Sequence, residues 1–416
     1  MDILAELKAR NVVNNITNEN KVKDFVNSKQ FALYCGFDPS FKSLHLGNYL
    51  LLVTLKRFVK AGYKTIALIG GATGQIGDPS GKKAERNLLE EKVIKQNVAA
   101  IKKQIQDIVS GAKVLNNLDF YKHETLFSFL RDTGKLINVN YLLEKEIIAK
   151  RLESGISYAE FTYTLIQAYD FCHMYKNNDV HMQIGGSDQW VNITTGTELI
   201  RKTIGDNNAA CGMTLNLLTK SDGTKFGKSE GGALYLDSEL TSPYAMYQFL
   251  INQADEDVKK LLLALTFLSI EEIDNIMKQH DANKASRLAQ RTLAKTIVSD
   301  IHGEKEAEKC EQISKTLFSG KLEELDEKDI KVALDGTPTF NADKDQYNIC
   351  DLLVFAQVCP SKSNARQLIQ SNSISVNGKL ISDINVVISV KEAKGAKEKF
   401  SYIRKGKKNY FLVNWK

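Results

Sequence analysis

Apolar and polar positions alternate with a period that changes along the chain. From Phe31 to about Leu217, short apolar or β-branched runs alternate with longer runs of helical periodicity. The strand-like runs include FALYCGF, TIALIGG and HMQIGG, and each contains or ends on glycine. Strands that alternate with helices predict a parallel sheet with helices on both faces, and such sheets bind ligands at the carboxyl ends of their strands. The pattern therefore predicts an α/β domain with a site near these glycines.

The pattern changes after this region. From Ser242 to about Ser319 it is helical throughout, which predicts a separate helical domain. The segment from Leu322 to Tyr347 is acidic and then rich in turn residues, as is typical of a linker. The predicted parts are an α/β nucleotide-binding domain at 1–219 with an insertion at about 115–151, a polar loop and helical domain at 220–320, a linker at 321–345 and a small α+β domain at 346–416.

Composition narrows the class of protein. No apolar run approaches the roughly 18 residues of a membrane span, and the N-terminus MDILAELKARN is charged, unlike a signal peptide. We therefore expect a cytoplasmic protein. The six cysteines form no Cys-x-x-Cys pair and have no histidines at zinc spacing, so we expect neither a disulfide framework nor a metal site.

The net charge is distributed unevenly. After Pro360 there are 12 basic and 3 acidic residues, so this tail carries +9. The whole chain carries +6, which leaves −3 for the part up to Pro360. An excess of basic residues favours binding of a polyanion, so we expect one to bind the tail.

The stretch His45–Asn48 lies between a strand-like run and a helix-like run. Gly47 lets a ligand approach the start of the helix closely, where backbone N–H groups and the helix dipole favour a phosphate. His45 is then placed to donate to a phosphate oxygen. A turn that only caps the helix, with a solvated histidine, fits the same residues, so this motif alone leaves both interpretations open.

A second polar stretch, LTKSDGTKFGKSEGG at 218–232, contains three lysines and four glycines. Glycine gives the backbone hinge freedom, which allows the lysines to close on a triphosphate. A solvated surface loop has the same composition, so this stretch is also ambiguous by itself.

Three polar residues share one predicted helix face. Tyr163, Gln167 and Asp170 stand at i, i+4 and i+7, so a helix presents all of them on the same side. An aromatic ring, an amide and a carboxylate together are unusual for the core stripe of a helix, although an ordinary polar face has the same spacing.

Together, the His-Leu-Gly-Asn stretch and Lys225–Ser229 resemble the paired signatures of class I aminoacyl-tRNA synthetases. The motifs that are similar to those of bacterial-type tyrosyl-tRNA synthetases are Tyr34–Pro39, Gly77–Lys82, the Tyr163/Gln167/Asp170 helix and Gly185–Trp190. The resemblance covers almost the whole chain in order. It implies a Rossmann-like parallel-sheet catalytic domain, then an α-helical tRNA-binding domain and a small α+β S4-like domain.

The resemblance implies a tyrosine–tRNA ligase. Such an enzyme activates L-tyrosine with ATP to tyrosyl-adenylate plus pyrophosphate, then transfers tyrosine to the 3′ end of tRNA(Tyr). The residues implied for tyrosine are Tyr34 and Asp170 at the phenol, Asp78, Tyr163 and Gln167 at the α-ammonium group, and Gln189 near the reacting carboxylate. A site that satisfies a phenol rejects phenylalanine, because the wrong substrate leaves buried polar groups unpaired; this is already established for tyrosyl-tRNA synthetases as a class.

The resemblance also implies which residues bind ATP. Those at the nucleoside and α-phosphate are Cys35, Gly36, Asp38, Gly47, Asn48, Gly186 and Asp188. Those around the departing pyrophosphate are Ser40 and the catalytic residues His45, Lys82, Arg86, Lys225 and Lys228. The tyrosine carboxylate is already a nucleophile, so the reaction needs positioning and charge neutralisation rather than a general base. Magnesium is expected to travel with ATP, because the sequence suggests no dedicated carboxylate cage.

Two positions depart from the common class I signatures, and three rival proteins share part of the pattern. Asn48 replaces the second histidine of His-x-Gly-His, and Phe226 stands where methionine is common. The rivals are a tryptophanyl-tRNA synthetase, an RNA-binding protein with the synthetase shape but no activity, and another nucleotidyltransferase with the His-x-Gly signature. The Tyr34/Asp170 pair and the basic tail favour the tyrosyl enzyme.

The tail has the pattern of a folded module. The run PSKSNARQLI predicts a capped helix with two basic residues one turn apart, and ISVNGKLI predicts two strands about an Asn-Gly turn. This pattern resembles the S4-type RNA-binding module, whereas a merely solvated basic tail is the alternative. The predicted RNA-binding residues are Lys362, Arg366, Arg404, Lys405, Lys407 and Lys408. The expected partners are tRNA(Tyr), L-tyrosine, ATP and, by resemblance, a second copy of the chain held through about 115–151, with no membrane.

Overall fold

The computed structural model describes residues 2–80, 89–145, 148–149, 152, 155–229, 232–319, 322–395, 399–406 and 409–415. The chain forms two compact units. The first unit comprises Met1–Ser242 and Asn252–Leu293, and the second comprises Pro243–Ile251 and Ala294–Lys416.

The elements of the described residues follow in chain order. The helices are α1 (Ile3–Ala9), α2 (Glu19–Ser28), α3 (Leu46–Lys60), α4 (Glu91–Ile108), α5 (Leu126–Ser128), α6 (Val139–Leu143), α7 (Tyr158–Asn177), α8 (Trp190–Ile204), α9 (Pro243–Ile251), α10 (Asp255–Leu265), α11 (Ile270–Ala282), α12 (Leu288–His302), α13 (Glu304–Ser319), α14 (Glu327–Ala333), α15 (Ile349–Phe355) and α16 (Lys362–Gln370). The strands are β1 (Val13–Ile16), β2 (Ala32–Phe37), β3 (Lys64–Ile69), β4 (Lys113–Asn116), β5 (Val180–Gly186), β6 (Cys211–Leu215), β7 (Lys228–Ser229), β8 (Gly232–Ala233), β9 (Thr339–Asn341), β10 (Gln346–Asn348), β11 (Ile374–Val376), β12 (Lys379–Leu380), β13 (Val387–Ser389), β14 (Phe400–Lys405) and β15 (Asn409–Asn414). Short 3-10 helices include Thr73–Gln75, Asn117–Tyr121 and Ser187–Gln189.

The first unit is built on a six-stranded sheet in the order β1-β6-β5-β2-β3-β4. Strands β2 to β6 pair in parallel, and only the edge strand β1 is antiparallel to its neighbour. The predicted parallel α/β sheet is therefore confirmed. Because β2 lies between β5 and β3, its carboxyl end opens at the centre of the sheet, where ligands bind in folds of this kind.

Helix α7 brings the predicted polar face onto this sheet. It begins after Ser157, whose hydroxyl accepts a hydrogen bond from the backbone N–H of Glu160 and caps the helix. Phe171 is fully buried and its ring lies 5.5 Å from that of Tyr34 on β2, centroid to centroid. This packing fixes the rotation of α7, so that Tyr163 and Asp170 also point into the protein.

The region predicted as one helical domain contributes to both units. Helices α10 and α11 belong with the α/β residues, whereas α9 and most of α12 belong with the C-terminal residues. In the first unit, the buried guanidinium group of Arg57 donates to the carbonyl of Thr266, and that of Arg10 donates to the carbonyls of Leu263 and Leu268. These bonds satisfy carbonyl groups at and after the end of α10 and fasten it to the N-terminal helices.

The second unit contains a five-stranded sheet in the order β12-β11-β14-β15-β9. The predicted capped helix is present as α16, with the hydroxyl of Ser361 accepting from the N–H of Asn364. The predicted Asn-Gly hairpin is also present, because β11 and β12 pair antiparallel and Asn377 and Gly378 both have positive φ, at 50° and 86°.

The segment at 321–345, predicted as a linker, contains regular structure. Helix α14 lies in it, and β9 pairs in parallel with β15, with Phe340 opposite Val413. The sheet of the second unit therefore draws one strand from residues before 346. The turn-rich composition around Thr337 hides this strand, because β9 is only three residues long.

None of the described helices combines the length and the apolar character that crossing a membrane requires.

Candidate active site

The carboxyl ends of β2 and β5 open into a cavity of ≈ 700 Å³ in the first unit. All six residues predicted for tyrosine line this cavity, and so do Lys225 and the described side chains predicted for ATP, apart from that of Cys35. The structure therefore brings together residues that the sequence spreads from Tyr34 to Lys225.

Cys35 does not line the cavity, and the side chains of four lysines and one arginine predicted for the sites are not among those described. Along β2 the side chains alternate, so Tyr34 and Gly36 face the cavity while Cys35, 1% exposed, does not line it. Burial raises the pKa of the Cys35 thiol to about 12, which keeps it neutral. Lys82, Arg86, Lys407 and Lys408 lie outside the described residues, and Lys228 is described only in its backbone.

The inner end of the cavity holds a phenol and a carboxylate. The hydroxyl of Tyr34 is buried and has no hydrogen-bond partner among the residues that the structure describes. Asp170 is 1% exposed, and its two oxygens accept hydrogen bonds from Asn117 Nδ2 at 2.8 Å and Tyr121 Oη at 2.7 Å. An unpaired buried hydroxyl is costly, so a ligand with its own polar group is the expected partner.

The environment of Asp170 sets its charge. Burial raises the pKa of this carboxyl to about 7, and the nearby Asp38 adds to the rise. The donors Asn117 and Tyr121 lower the pKa, because they stabilise the ionised form. The carboxyl therefore stands close to its ionisation point near neutral pH, and one more donor would favour the charged form.

Hydrogen bonds connect Asp170 to the outer part of the cavity. Asn117 Nδ2 also lies 3.1 Å from the hydroxyl of Thr73, which donates to Asp38 Oδ1 at 2.9 Å. The other oxygen of Asp38 accepts from the hydroxyl of Tyr163 at 3.1 Å. These five side chains form one network, so a shift of any member moves the groups on both sides of the cavity.

A second group of polar side chains is centred on Gln189. Its Nε2 donates to Asp78 Oδ2 at 2.7 Å, and its Oε1 accepts from Gln167 at 3.3 Å and from Asn192 at 3.0 Å. The other oxygen of Asp78 accepts from the N–H of Ser80 at 2.8 Å. Hydrogen bonds at both its Nε2 and its Oε1 therefore fix the orientation of the Gln189 amide. The Asp78 carboxylate still has lone pairs that can accept from a cation.

The two polar motifs of the sequence meet at the outer end of the cavity. The backbone N–H of Leu46 donates to the carbonyl of Leu234 at 2.7 Å, and that of Leu236 donates to the carbonyl of Leu44 at 2.9 Å. Gly227 has φ +90°, and a Cβ at this position would lie 2.7 Å from the backbone nitrogen of Gly47. Only glycine permits this approach. The polar stretch at 218–232, called the lysine-rich loop below, therefore contacts the start of α3 at Gly227.

Hydrogen bonds hold the turn at which helix α3 begins. His45 is its N-cap residue, and Asn48 Oδ1 accepts from the backbone N–H of His45 at 3.1 Å. Asn48 therefore holds the turn before the helix, and Lys225 lines the same cavity. In the described part of the chain, no group of three or more His, Cys, Asp or Glu side chains is arranged to hold a metal ion.

The described basic residues of the tail belong to the second unit. Arg366 is exposed on α16, and Lys362 pairs with Asp351 at 2.5 Å while remaining largely exposed. Lys405 on β14 donates to the carbonyl of Val358 at 2.8 Å, and Arg404 lies beside it on the same strand.

Comparison with known proteins places this geometry in a family. Residues 26–319 match the family described as tRNA synthetases class I (W and Y), and residues 329–413 match the tyrosine–tRNA ligase SYY-like C-terminal domain. The chain is 51% identical to a tyrosine–tRNA ligase of Ureaplasma urealyticum over 100% of this chain and 99% of the relative. The chain belongs to the class I tyrosyl-tRNA synthetases.

Other relatives agree with this placement. A tyrosine–tRNA ligase of Listeria monocytogenes is 45% identical over the full length of both chains. A crystal structure of a C-terminally truncated mitochondrial tyrosyl-tRNA synthetase of Aspergillus nidulans superposes with a TM-score of 0.70 at 28% identity, covering 76% of this chain and 94% of that one. The predicted family, enzyme class and fold of this tyrosyl-tRNA synthetase are confirmed, and the three rival interpretations are set aside.

Sequence reasoning missed several residues of the site in this synthetase. Asn117 and Tyr121 lie in a 3-10 helix directly after β4, and Thr73 begins another a short turn after β3. Gln183 on β5 pairs with Tyr34 on β2 and lines the cavity. The rule that ligands gather at the carboxyl ends of parallel strands could have identified Asn117, but β4 contains no glycine to mark it.

The raised pKa of Asp170 predicts a pH dependence of stability for the ligand-free protein. The folded-state pKa of about 7 lies above the ordinary value of about 3.9, so the neutral carboxyl favours folding below pH 4 and this advantage is lost as the pH rises through 7. Relative to Asp170→Asn, the wild type should lose on the order of 4 kcal/mol between pH 4 and 7. Urea unfolding at a series of pH values measures this difference.

The matched control is Asp119→Asn, which removes an exposed carboxylate paired with Lys122 on the same segment of chain. Its stability should follow the wild-type pH curve. Parallel curves for the wild type and Asp170→Asn would show that Asp170 has an ordinary pKa in the folded state.

Proposed function

We propose that this enzyme activates L-tyrosine with ATP, forming tyrosyl-adenylate and pyrophosphate, and then transfers the tyrosyl group to the 3′ end of tRNA(Tyr). The observation that carries the proposal is the inner end of the cavity, where the buried hydroxyl of Tyr34 and the carboxylate of Asp170 lie together. These groups match a phenol, which both donates and accepts a hydrogen bond.

Tyrosine is proposed to lie with its phenol inward and its amino acid group near Gln189. Asp78 and the amide of Gln167 would bind the α-ammonium group, and Tyr163 would complete this part of the site. The support is the hydrogen bond from Gln189 to Asp78, which leaves lone pairs of the carboxylate for a cation. Gln189 would then lie next to the tyrosine carboxylate.

ATP is proposed to occupy the outer part of the cavity, between the start of α3 and the lysine-rich loop. His45 would donate to the phosphates, and Lys225 and Lys228 would close on the pyrophosphate, together with Lys82 and Arg86. The support is the contact between Gly227 and Gly47, which brings the two motifs to one place. Gly36 has no atom within 4 Å of where its Cβ would be, so β2 leaves room for the nucleoside.

The two reaction steps require mainly that the reactants are positioned and that negative charge is neutralised. The tyrosine carboxylate attacks the α-phosphorus, the bond from this phosphorus to the bridging oxygen breaks, and pyrophosphate leaves. The tRNA hydroxyl then attacks the carbonyl carbon, and AMP leaves. Negative charge grows on pyrophosphate in the first step, so cations at the outer end stabilise the transition state. Magnesium is proposed to arrive with ATP, held by the phosphates.

The second unit is proposed to bind tRNA(Tyr) through an S4-like module at 346–416. Its net charge after Pro360 is +9, and Arg366 and Lys362 are exposed one turn apart on α16. By role, 1–219 is proposed for catalysis, 220–320 for the loop and the tRNA-binding helices, and 321–345 for the connection to the module, although 220–320 contributes to both units and 321–345 contains α14 and β9. We propose that the protein acts in the cytoplasm.

A homodimer is proposed, with the interface in the segment at about 115–151. This segment and its C-terminal flank expose several large apolar side chains. Leu126 is 69% exposed, Phe127 82% and Val139 56%, and Tyr158 at the start of α7 is 73% exposed. Exposed large apolar side chains concentrated in one part of the chain are typical of an interface between chains.

Substitution at the phenol end should reduce the preference for tyrosine over phenylalanine. Tyr34→Phe should lower the ratio of kcat/KM values roughly tenfold, and Asp170→Ala should lower it on the order of a hundredfold, because an ionised acceptor makes the stronger hydrogen bond. ATP–pyrophosphate exchange with tyrosine, phenylalanine and tryptophan measures both ratios.

The control variant is Tyr175→Phe, whose hydroxyl accepts from the N–H of Ala209 away from the cavity. It should keep the wild-type preference. Exchange supported by tryptophan alone, or an unchanged preference in both phenol-end variants, would contradict the proposed tyrosine site.

Neutralising α16 should affect tRNA and leave adenylate formation unchanged. The double variant Lys362→Gln with Arg366→Gln should weaken tRNA binding and reduce the slope of log affinity against log salt by roughly 1 to 2, because fewer counterions are released. Filter binding at several salt concentrations and a charging assay measure the affinity, the salt slope and the charging rate, and ATP–pyrophosphate exchange serves as the internal reference.

Lys305→Gln with Lys328→Gln removes two exposed lysines elsewhere in the second unit and is the charge-matched control. Equal salt slopes for both double variants would remove α16 from the RNA surface.

An acidic residue at the proposed interface should separate the two copies. Phe127→Asp should shift the protein from dimer to monomer in sedimentation velocity, because a charge in an apolar interface is strongly disfavoured. Leu380→Asp, at a residue 58% exposed in the second unit, is the matched control and should leave the dimer intact. A dimer that survives Phe127→Asp would place the interface elsewhere.

A further inference from the structure

Tyr121 is the one hydroxyl group that contacts Asp170 within the described residues. Its Oη lies 2.7 Å from Asp170 Oδ1 and 3.1 Å from the carbonyl of Ile166. Burial and the neighbouring carboxylate raise the pKa of Tyr121, so its phenol stays protonated and remains a donor. The nearer and charged oxygen of Asp170 is the favoured acceptor for its single proton.

The aromatic ring of Tyr121 has a separate packing role. Its centroid lies 5.2 Å from that of Tyr169 on α7. The hydroxyl of Tyr169 points to a different partner, Glu124 Oε2 at 2.9 Å. The neighbouring rings therefore carry hydroxyls with different tasks, and only that of Tyr121 contacts the carboxylate at the inner end of the cavity.

We propose that Tyr121 is a positioning residue for amino acid selection, whose hydroxyl orients the carboxylate of Asp170 and holds it in the ionised form that accepts the substrate phenol. The inference rests on the proposed function, in which Asp170 accepts this phenol. Tyr121 itself touches no substrate and acts through Asp170.

The geometry around Asp170 supports this role. Asn117 donates to one carboxylate oxygen and Tyr121 to the other, so rotation of the carboxylate about its χ2 bond would break one bond or both. With each oxygen holding one fixed donor, the remaining lone pairs are available for the substrate.

The titratable and polar groups that face Asp170 come from three parts of the first unit. They are Tyr34 and Asp38 from β2 and its following turn, Asn117 and Tyr121 from the 3-10 helix after β4, and Tyr163 and Tyr169 from α7 itself.

The charge balance of this set shows what Tyr121 contributes. Asp38 disfavours the ionisation of Asp170. Among the described residues, no lysine or arginine is one of the groups that shift the pKa of Asp170. Ionisation therefore depends on two neutral donors. Without the hydroxyl of Tyr121, Asn117 is the one donor that offsets the effects of burial and Asp38 on the pKa of Asp170. Asp170 should then ionise only at higher pH.

The test is Tyr121→Phe, which keeps the ring and removes the hydroxyl. ATP–pyrophosphate exchange is measured from pH 6 to 9 with tyrosine and with phenylalanine. We expect the KM for tyrosine to rise roughly tenfold at neutral pH, with kcat and the KM for ATP nearly unchanged, and the preference for tyrosine to fall by a similar factor. The midpoint of the pH profile of kcat/KM for tyrosine should move upward by roughly one pH unit. The kcat/KM for phenylalanine should stay near its wild-type value, which shows that the protein is folded.

Tyr169→Phe is the matched control, since it removes a hydroxyl from the neighbouring ring without changing the contacts of Asp170. It should leave the pH midpoint and the preference at their wild-type values. If Tyr121→Phe behaves like this control, the inference is wrong and Tyr121 only packs.

Asp170→Asn, measured in the same assays, separates this inference from the proposed function. A lost preference in Asp170→Asn together with an unchanged Tyr121→Phe overturns the role of Tyr121 alone. An unchanged preference in Asp170→Asn overturns the assignment of the phenol acceptor, and the role of Tyr121 with it. A lost preference in both, with the upward shift of the pH midpoint in Tyr121→Phe, supports the inference.

Discussion

A carboxylate that is 1% exposed is the constraint on which the inner end of the site depends. Burial disfavours the charge of Asp170, and removing either donor from a buried charge costs several times more than removing one from the surface. The donors Asn117 and Tyr121 come from the chain directly after β4, whereas Asp170 comes from α7. The sheet must therefore place β4 beside β3, and α7 must pack with Phe171 inward, before the carboxylate has its partners.

The outer end of the site depends on backbone pairing instead of buried charge. Residues 44–46 and 234–236 exchange backbone hydrogen bonds, and Gly227 approaches Gly47 more closely than any other residue type would allow. Such bonds do not depend on side-chain identity, so the lysine-rich loop is held at its base whichever side chains it carries. A rigid inner end and an anchored loop suit a reaction whose catalysis is mainly positioning and charge neutralisation.

The sequence predicted the parts of the site that repeat at a regular spacing or carry a motif. Tyr163 and Asp170 share a helix face because the helical period is fixed, and the tail hairpin follows from the backbone preference of Asn377 and Gly378. The contact of Tyr121 with Asp170 could not be predicted, since it requires the 3-10 turn after β4 to meet α7, and no local pattern encodes that distance.

The assignment of Cys35 to ATP came from resemblance, whereas strand alternation turns its side chain away from the cavity. The helical region looked uniform in periodicity, and its division between the units depends on long-range contacts such as that of Arg57 with Thr266.

The distribution of charge in the cavity supports one orientation of the substrates. The acidic side chains of the described lining are Asp38, Asp78, Asp170 and Asp188. A triphosphate next to these carboxylates would be repelled unless cations lay between them, and Lys225 is the lysine that the described lining offers. Burial and Asp78 raise the pKa of Asp188, whereas Lys225 lowers it, so this lysine already acts on a carboxylate of the cavity. This distribution supports the proposed placement of the phosphates beside Lys225 and of the cationic end of the amino acid near Asp78. With both charged groups assigned in this way, only a neutral group that forms hydrogen bonds remains suited to the space between Tyr34 and Asp170, and a phenol is such a group.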